Sequence, residues 1–173
     1  MLALTLTACA QNLDPCTTVT QIPRSECRAL VSFYDITDGD QWEDRRGWLE
    51  GKNPCEWHGL KCDGGHVISI SLHYNNLRRT LPNSLIELPR LRSLSLYYNQ
   101  LGGNIPTEYG QLKSLEVLIL HNNELEGSIP PELGNLTQLN MLSLYGNDLT
   151  GSVPPELRGI PTSAIDLFGW GDD

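Results

Sequence analysis

The chain has 173 residues, a formal net charge of −9 and a hydrophobic content of 39%. This length favours a single domain, and the balance of apolar and charged residues is typical of a folded protein. The acidic excess argues against binding to nucleic acid or to anionic lipid head groups, and the sequence lacks a run of about 18 apolar residues that could cross a membrane as a helix.

The first ten residues are apolar, and Leu6–Cys9 (Leu-Thr-Ala-Cys) resembles a bacterial lipobox, whose cysteine receives a lipid anchor. Three interpretations are open: a lipoprotein with lipidation at Cys9 after residues 1–8, the tail of an ordinary secretory signal peptide, or a chance match. The basic residues that begin a signal peptide are missing, so the true start would lie upstream. We favour a secreted or cell-surface protein that is lipid-anchored to a bacterial outer membrane and meets the membrane only through that anchor.

The chain has five cysteines, an odd number that leaves one to explain. With Cys9 lipidated, we predict the disulfides Cys16–Cys27 and Cys55–Cys62, which would place the protein in an oxidising compartment. Reduced thiols in a cytosolic protein are the alternative. A metal site is disfavoured because the Cys-x₆-Cys spacing is wider than zinc sites use.

Polar residues 9–24 are predicted to form a tether. Apolar residues then recur at spacings of three and four from Cys27 to Tyr34, which predicts a helix over 26–36 with Ser25 as its N-cap. The acidic stretch Asp35–Asp44 lacks the glycine and glutamate that an EF-hand loop requires, so we interpret it as a solvated turn.

Residues 67–160 consist of four copies of a 24-residue pattern, without insertion or deletion. The Leu-x-Leu alternation in each copy predicts one strand, whose apolar face is buried only when copies stack. An asparagine follows each strand, where its amide can bond backbone groups that the turn leaves unpaired. We therefore predict a structural, buried ladder of these asparagines: Asn75, Asn99, Asn123 and Asn147.

The segments Asn99–Pro106 and Asn123–Pro130 resemble the plant-type leucine-rich repeat, N-x-L-x-G-x-I-P, and the match covers about 94 of the 173 residues. The resemblance implies an α/β solenoid: a leucine-rich repeat horseshoe segment with a concave parallel β-sheet and an irregular or 3₁₀ convex side. Polygalacturonase-inhibiting proteins and plant receptor ectodomains have similar repeats.

Cys55–Cys62 resembles the amino-terminal cap of this family, C-x-W-x-G-x-x-C, and implies a helical, disulfide-bonded cap over residues 25–66. Trp42, Trp48 and Trp57 would cover the apolar end of the first repeat, although a tryptophan cluster can also bind sugars. Residues 161–173 are predicted to form a short terminal repeat or C-terminal cap, with Trp170 where the asparagine is expected.

Side chains that alternate with the buried leucines should point to the concave face. Two adjacent columns of that face carry rings, which we predict to bind a partner: His73, Tyr97, His121, Tyr145 and Phe168 in one, and Tyr74 and Tyr98 in the other. The alternative interpretation is that these rings stack and only stiffen the sheet.

The resemblance implies non-catalytic recognition of a protein or peptide at the cell surface through the concave face, with no cofactor. The alternative is a structural or adhesion protein that self-associates through the same face. Catalysis is disfavoured because the sequence shows no nucleophile–base pair, and His73 and His121, about 10 Å apart on alternate strands, cannot share a metal.

Overall fold

The structure is a computed structural model that describes residues 14–160 and 165–166. It consists of an N-terminal cap followed by repeats that each contribute strands to two sheets. The predicted sites Cys9 and Phe168, and Trp170, lie outside the described residues. The elements are α1 (Arg24–Ile36), β1 (Leu60–Asp63), β2 (His66–Ser71), β3 (Arg78–Thr80), β4 (Ser93–Ser95), β5 (Gln100–Asn104), β6 (Val117–Ile119), β7 (Glu124–Ser128), β8 (Met141–Ser143), β9 (Asp148–Thr150) and β10 (Ile165–Asp166).

The first sheet has the strand order β1-β2-β4-β6-β8-β10 and turns the 24-residue period into an in-register ladder. Leu94 lies opposite Ile70 on one side and Leu118 on the other, and all three side chains are fully buried. All pairs are parallel except β1 with β2, which is the hairpin that joins the cap to the first repeat. The predicted parallel sheet of a leucine-rich repeat solenoid is confirmed.

A second parallel sheet, β3-β5-β7-β9, follows the asparagine turns, where we predicted only irregular or 3₁₀ structure. Leu101 and Leu125 are buried at its centre, while the residues before them in sequence are exposed. Arg79 replaces the glycine of the later copies and still adopts their left-handed backbone, with φ of 67° against 68° at Gly103. The predicted 3₁₀ turns then close each repeat at Asn83–Glu87, Thr107–Gln111, Pro131–Asn135 and Pro155–Gly159.

The cap is built on α1, which begins at Arg24 and not after Ser25. The predicted Ser25 N-cap is wrong: the N-cap residue is Pro23, whose carbonyl oxygen accepts the first helical bond from Cys27 N at 3.1 Å. The disulfides Cys16–Cys27 and Cys55–Cys62 are both formed. The first ties the segment before α1, part of the predicted tether, to the helix.

The inner side of the cap is an aromatic cluster over the first repeat. Trp48 lies 4.9 Å from Trp42 and 5.0 Å from Trp57 between ring centroids, and all three indoles are buried. Gly59 (φ 77°) lets the backbone approach β2 closely, because a Cβ there would collide with the Ser71 carbonyl oxygen. The three tryptophans belong to the same buried hydrophobic cluster as the leucines of the repeats.

Buried Glu26 connects α1 to β2. Its carboxylate accepts a hydrogen bond from Val67 N at 2.9 Å and lies 2.5 Å from His66 Nδ1, with the glutamate only 1% exposed. A buried carboxylate is stable only when it is paired in this way.

Candidate functional site

The asparagine side chains connect neighbouring repeats through their amides. Asn123 Nδ2 donates to Leu96 O and Leu120 O, both at 3.0 Å, and its Oδ1 accepts from Leu101 N at 3.1 Å. Asn99 and Asn147 donate to carbonyl oxygens of their own and the preceding repeat in the same way. Asn75 and Asn123 are buried, whereas Asn99 and Asn147 are half-buried. Each amide therefore fixes the turn that follows a strand of the first sheet.

The cap supplies the partner that Asn75 would otherwise find in a preceding repeat. Asn75 Nδ2 donates to Asp44 O at 2.9 Å, and Asn75 Oδ1 accepts from Asp44 N at 2.6 Å. Glu43 N also donates to Asn75 O at 3.2 Å. Residues 43–44 thus occupy the position of a missing repeat.

A continuous stack of rings lies on the solvent-facing side of the first sheet, which we call the open face. Successive centroids are 4.6, 4.7 and 4.4 Å apart, with interplanar angles of 22° or less. The strand spacing of about 4.8 Å sets this distance. We call these residues the first ring row: His73, Tyr97, His121 and Tyr145.

Tyr74 and Tyr98 form the second ring row, stacked at 4.4 Å beside the first. Both have a left-handed backbone, with φ of 51° and 53°, and they are 58% and 45% exposed. Asn122 and Gly146 take the same conformation in the later repeats, where the second row ends. Desolvation, and then the neighbouring Tyr98, raise the pKa of Tyr74 above its ordinary value.

No Asp, Glu, Lys or Arg lies within the open-face strands β2, β4, β6 or β8, and Arg92 and Glu116, which directly precede β4 and β6, pair with each other at 3.8 Å. Serines alternate with buried residues in β2 and β4, whereas Val117, Ile119 and Met141 give the later strands an apolar surface. Met141 is 45% exposed. In a chain with a net charge of −9, this face is therefore a neutral surface.

Sequence reasoning missed a shallow groove of about 200 Å³ beside the second ring row. We call it the Glu43 groove, and its lining residues are Glu43, Tyr74, Asn76, Tyr98, Asn99 and Gln100. Gln100 Nε2 donates to Asn76 Oδ1 at 2.7 Å, and Asn76 Nδ2 donates to Gln41 O at 2.8 Å. These bonds hold both amides in place. The period of 24 could not reveal this groove because Glu43 comes from the cap.

Neighbouring cap charges pair with one another beside this groove. Arg46 donates to Asp44 Oδ2 at 2.6 Å and is the main cause that lowers the pKa of Asp44 to about 2. Arg45 donates to Tyr34 OH at 3.0 Å and lies 3.4 Å from Asp40. The acidic stretch is thus partly neutralised by arginines.

The geometry does not bring the two histidines of the first ring row together. The Tyr97 ring stacks between His73 and His121, and His121 Nδ1 lies 3.0 Å from Ser143 Oγ. Within residues 14–160 and 165–166, no group of three or more His, Cys, Asp and Glu side chains could hold a metal ion. None of the helices in that part of the chain is both long and apolar enough to span a bilayer.

Family models for leucine-rich repeats match two adjacent parts of the chain. A single-repeat model matches residues 90–112, and a model of two repeat copies matches residues 113–155. No curated protein matches the chain in sequence.

Several solved structures share the fold. The ectodomain of the receptor kinase SOBIR1 from Arabidopsis thaliana is 27% identical with a TM-score of 0.67, and the match covers 80% of this chain and 75% of that one. The BIR2 ectodomain from the same plant is 30% identical with a TM-score of 0.64, covering 82% and 77%. The ectodomain of the Arabidopsis receptor kinase HAESA, solved with a peptide hormone ligand, is 32% identical with a TM-score of 0.60, covering 75% of this chain but 23% of that one.

Proposed function

Because the chain belongs to the leucine-rich repeat family, we propose that it is a non-catalytic extracellular recognition module that binds a protein or peptide through its open face. Similar chains are ectodomains of plant receptor kinases, and HAESA was solved with a peptide hormone ligand. These relatives support a binding role.

The observation that carries this proposal is the pair of ring rows on an otherwise neutral surface. Half-exposed Tyr74 and Tyr98 lie beside the first ring row, and the apolar residues Ile119 and Met141 continue the surface along the later strands. Exposed aromatic residues grouped with apolar ones are typical of binding hot spots. The stacking within each row also stiffens the sheet, so the rings are held in place before a partner arrives.

Extracellular location is supported by the two disulfides, which persist in oxidising compartments. Lipidation of Cys9 remains a prediction. Intact mass of the protein purified from its native membranes, before and after reduction, tests both points. A lipid adduct on Cys9 and a gain of about four protons on reduction are expected; an unmodified chain with free thiols would remove the surface assignment.

Binding can be tested without knowing the natural partner. Phage-displayed random heptapeptides are selected on the full chain, and their affinity is measured against the double variant Tyr97→Ala/Tyr145→Ala. We expect a loss of at least tenfold in affinity, with a fall in the free energy of unfolding of about 1–2 kcal/mol from the lost ring pairs.

The matched control is Tyr97→Phe/Tyr145→Phe, which keeps the stacked rings and removes only the hydroxyls. This control should retain stability and most of the affinity. Unchanged peptide binding by the alanine variant would assign the rings to the fold alone and overturn the proposal.

Self-association through the open face is the alternative function. It predicts that the mass measured by analytical ultracentrifugation rises with protein concentration and that the same alanine variant abolishes the rise. If the measured mass is that of a monomer at every protein concentration and changes only when a selected peptide is added, the recognition module is favoured.

A further inference from the structure

The Glu43 groove brings an unpaired carboxylate to the edge of the open face, whereas Glu116, directly before β6, is paired with Arg92. Glu43 is exposed, and among the described residues no Arg, Lys or His nitrogen lies within 4 Å of its carboxylate. Its sequence neighbours Asp44 and Arg45 are already paired with other residues. Glu43 is therefore the unneutralised charge of this groove.

The groove brings Glu43 of the cap together with Tyr74 and Tyr98 of the second ring row. In the repeats, a turn N–H donates to the carbonyl oxygen one position earlier in the next copy, as Asn99 N does to Asn122 O. Glu43 N donates to Asn75 O, so Glu43 takes the ladder position that Asn76 and Gln100 occupy in the repeats. Tyr98 stacks on Tyr74 at 4.4 Å. Tyr74 thus has a ring partner in Tyr98, and Glu43 lines the same groove.

A cation is the chemical group that fits these surroundings. Tyrosine rings attract guanidinium and ammonium groups, and a carboxylate beside the ring adds an ion pair. Gln100 Nε2 and Asn76 Nδ2 each donate one bond to the protein, and the Gln100 side-chain oxygen, which accepts no bond from the described residues, is a further acceptor. Arg78 donates to Asn76 Oδ1 at 3.2 Å but is not among the lining residues, so it does not fill the groove.

We propose that the Glu43 groove binds an arginine or lysine side chain of the peptide segment that crosses the open face. This inference rests on the proposed function and specifies its partner as a basic peptide. The net charge of −9 acts in the same direction, because it steers a basic partner towards the chain. An acidic residue at this point of the peptide is excluded by repulsion from Glu43.

A small probe tests the groove by itself. Nα-acetyl-arginine methylamide is titrated into the full chain while the ring resonances of Tyr74 and Tyr98 are followed by NMR, and the neutral citrulline analogue is the matched probe. We expect shifts only with the arginine probe, with binding about fivefold weaker in Glu43→Gln and unchanged in Glu87→Gln, an exposed glutamate on a 3₁₀ turn. Equal shifts with the citrulline analogue, or equal binding by Glu43→Gln, would overturn the inference.

Peptide selection separates this inference from the proposed function. Selected heptapeptides that require one Arg or Lys, and lose affinity on Glu43→Gln but not on Glu87→Gln, support both. Peptides that bind the open face without a basic residue overturn the groove assignment and leave the proposed function standing. If no peptide is selected although the arginine probe shifts the tyrosines, the proposed function fails, and the peptide partner fails with it.

Discussion

The repeats and the cap solve the same structural problem with different chemistry. In the repeats, each asparagine amide binds the turn of the preceding copy, as Asn123 does with Leu96 and Leu101. In the cap, a non-repeating segment places Asp44 where that copy would stand. The repeats obtain their contacts from periodicity, whereas the cap needs disulfides, a tryptophan cluster and a buried carboxylate to hold one segment in position.

The largest expected effect comes from removing an amide within the repeats. Asn123→Ala leaves Leu101 N and the Leu120 carbonyl oxygen without their side-chain partner, and we expect a fall of about 3–4 kcal/mol in the free energy of unfolding. Urea denaturation measures the loss. Hydrogen exchange should rise in the repeats on both sides of residue 123.

The control is Asn75→Ala, which removes the corresponding amide at the junction with the cap. In the Asn75→Ala variant, the increase in hydrogen exchange should be centred on residues 43–46 and β2. If the two variants gave the same exchange pattern, cap and repeats would unfold as one unit and the distinction between them would disappear.

Periodicity explains why the ladder and the first sheet were predictable. A fixed offset of 24 puts chemically identical residues side by side, so the burial of Leu94 and the bonding of Asn99 follow from the pattern itself. The second sheet was missed because its central strands β5 and β7 contain Gly103 and Gly127, which have a left-handed backbone and are typical of a turn in the sequence. The contact of Asn75 with Asp44 spans 31 residues and involves backbone atoms, which carry no residue-type signal.

The same limit applies to the candidate site. The two ring rows could be predicted because their residues recur at one position of the repeat. The Glu43 groove could not, because it combines second-row tyrosines with a cap residue whose place depends on that backbone contact.

Removal of a disulfide should affect the cap and spare the repeats. Cys16→Ser/Cys27→Ser removes the link between the N-terminal segment and α1, and the chain-entropy model gives a loss of about 2–3 kcal/mol for a loop of this size. Hydrogen exchange should then increase over residues 14–36, with the strands β4 to β8 unchanged. Increased exchange throughout the repeats would show that the cap controls the whole solenoid.

A smaller effect is expected at the carboxylate that connects α1 to β2. Glu26→Ala leaves the buried Val67 N–H without an acceptor, which we expect to lower the free energy of unfolding by about 2 kcal/mol. Glu26→Gln is the matched variant, because its side-chain oxygen can still accept that bond, and it should lose less. Equal losses in urea denaturation would assign the stability to the contact of the carboxylate with His66 instead.

The smallest effect concerns the charge of Asp44, whose backbone holds the cap on the ladder. Its folded-state pKa, about 2, is below the ordinary 3.8, so the charge contributes stability that is present above pH 3.8 and is lost as the pH falls through 2. Solvent screening limits this contribution to under about 1 kcal/mol, because Arg46 and Asp44 are 80% and 29% exposed. Asp44→Asn keeps the backbone bonds to Asn75, so it should lower the free energy of unfolding slightly at pH 6 and flatten its dependence on pH between 4 and 2. A loss above 2 kcal/mol at pH 6 would mean that the side chain, and not the backbone, fastens the cap to the first repeat.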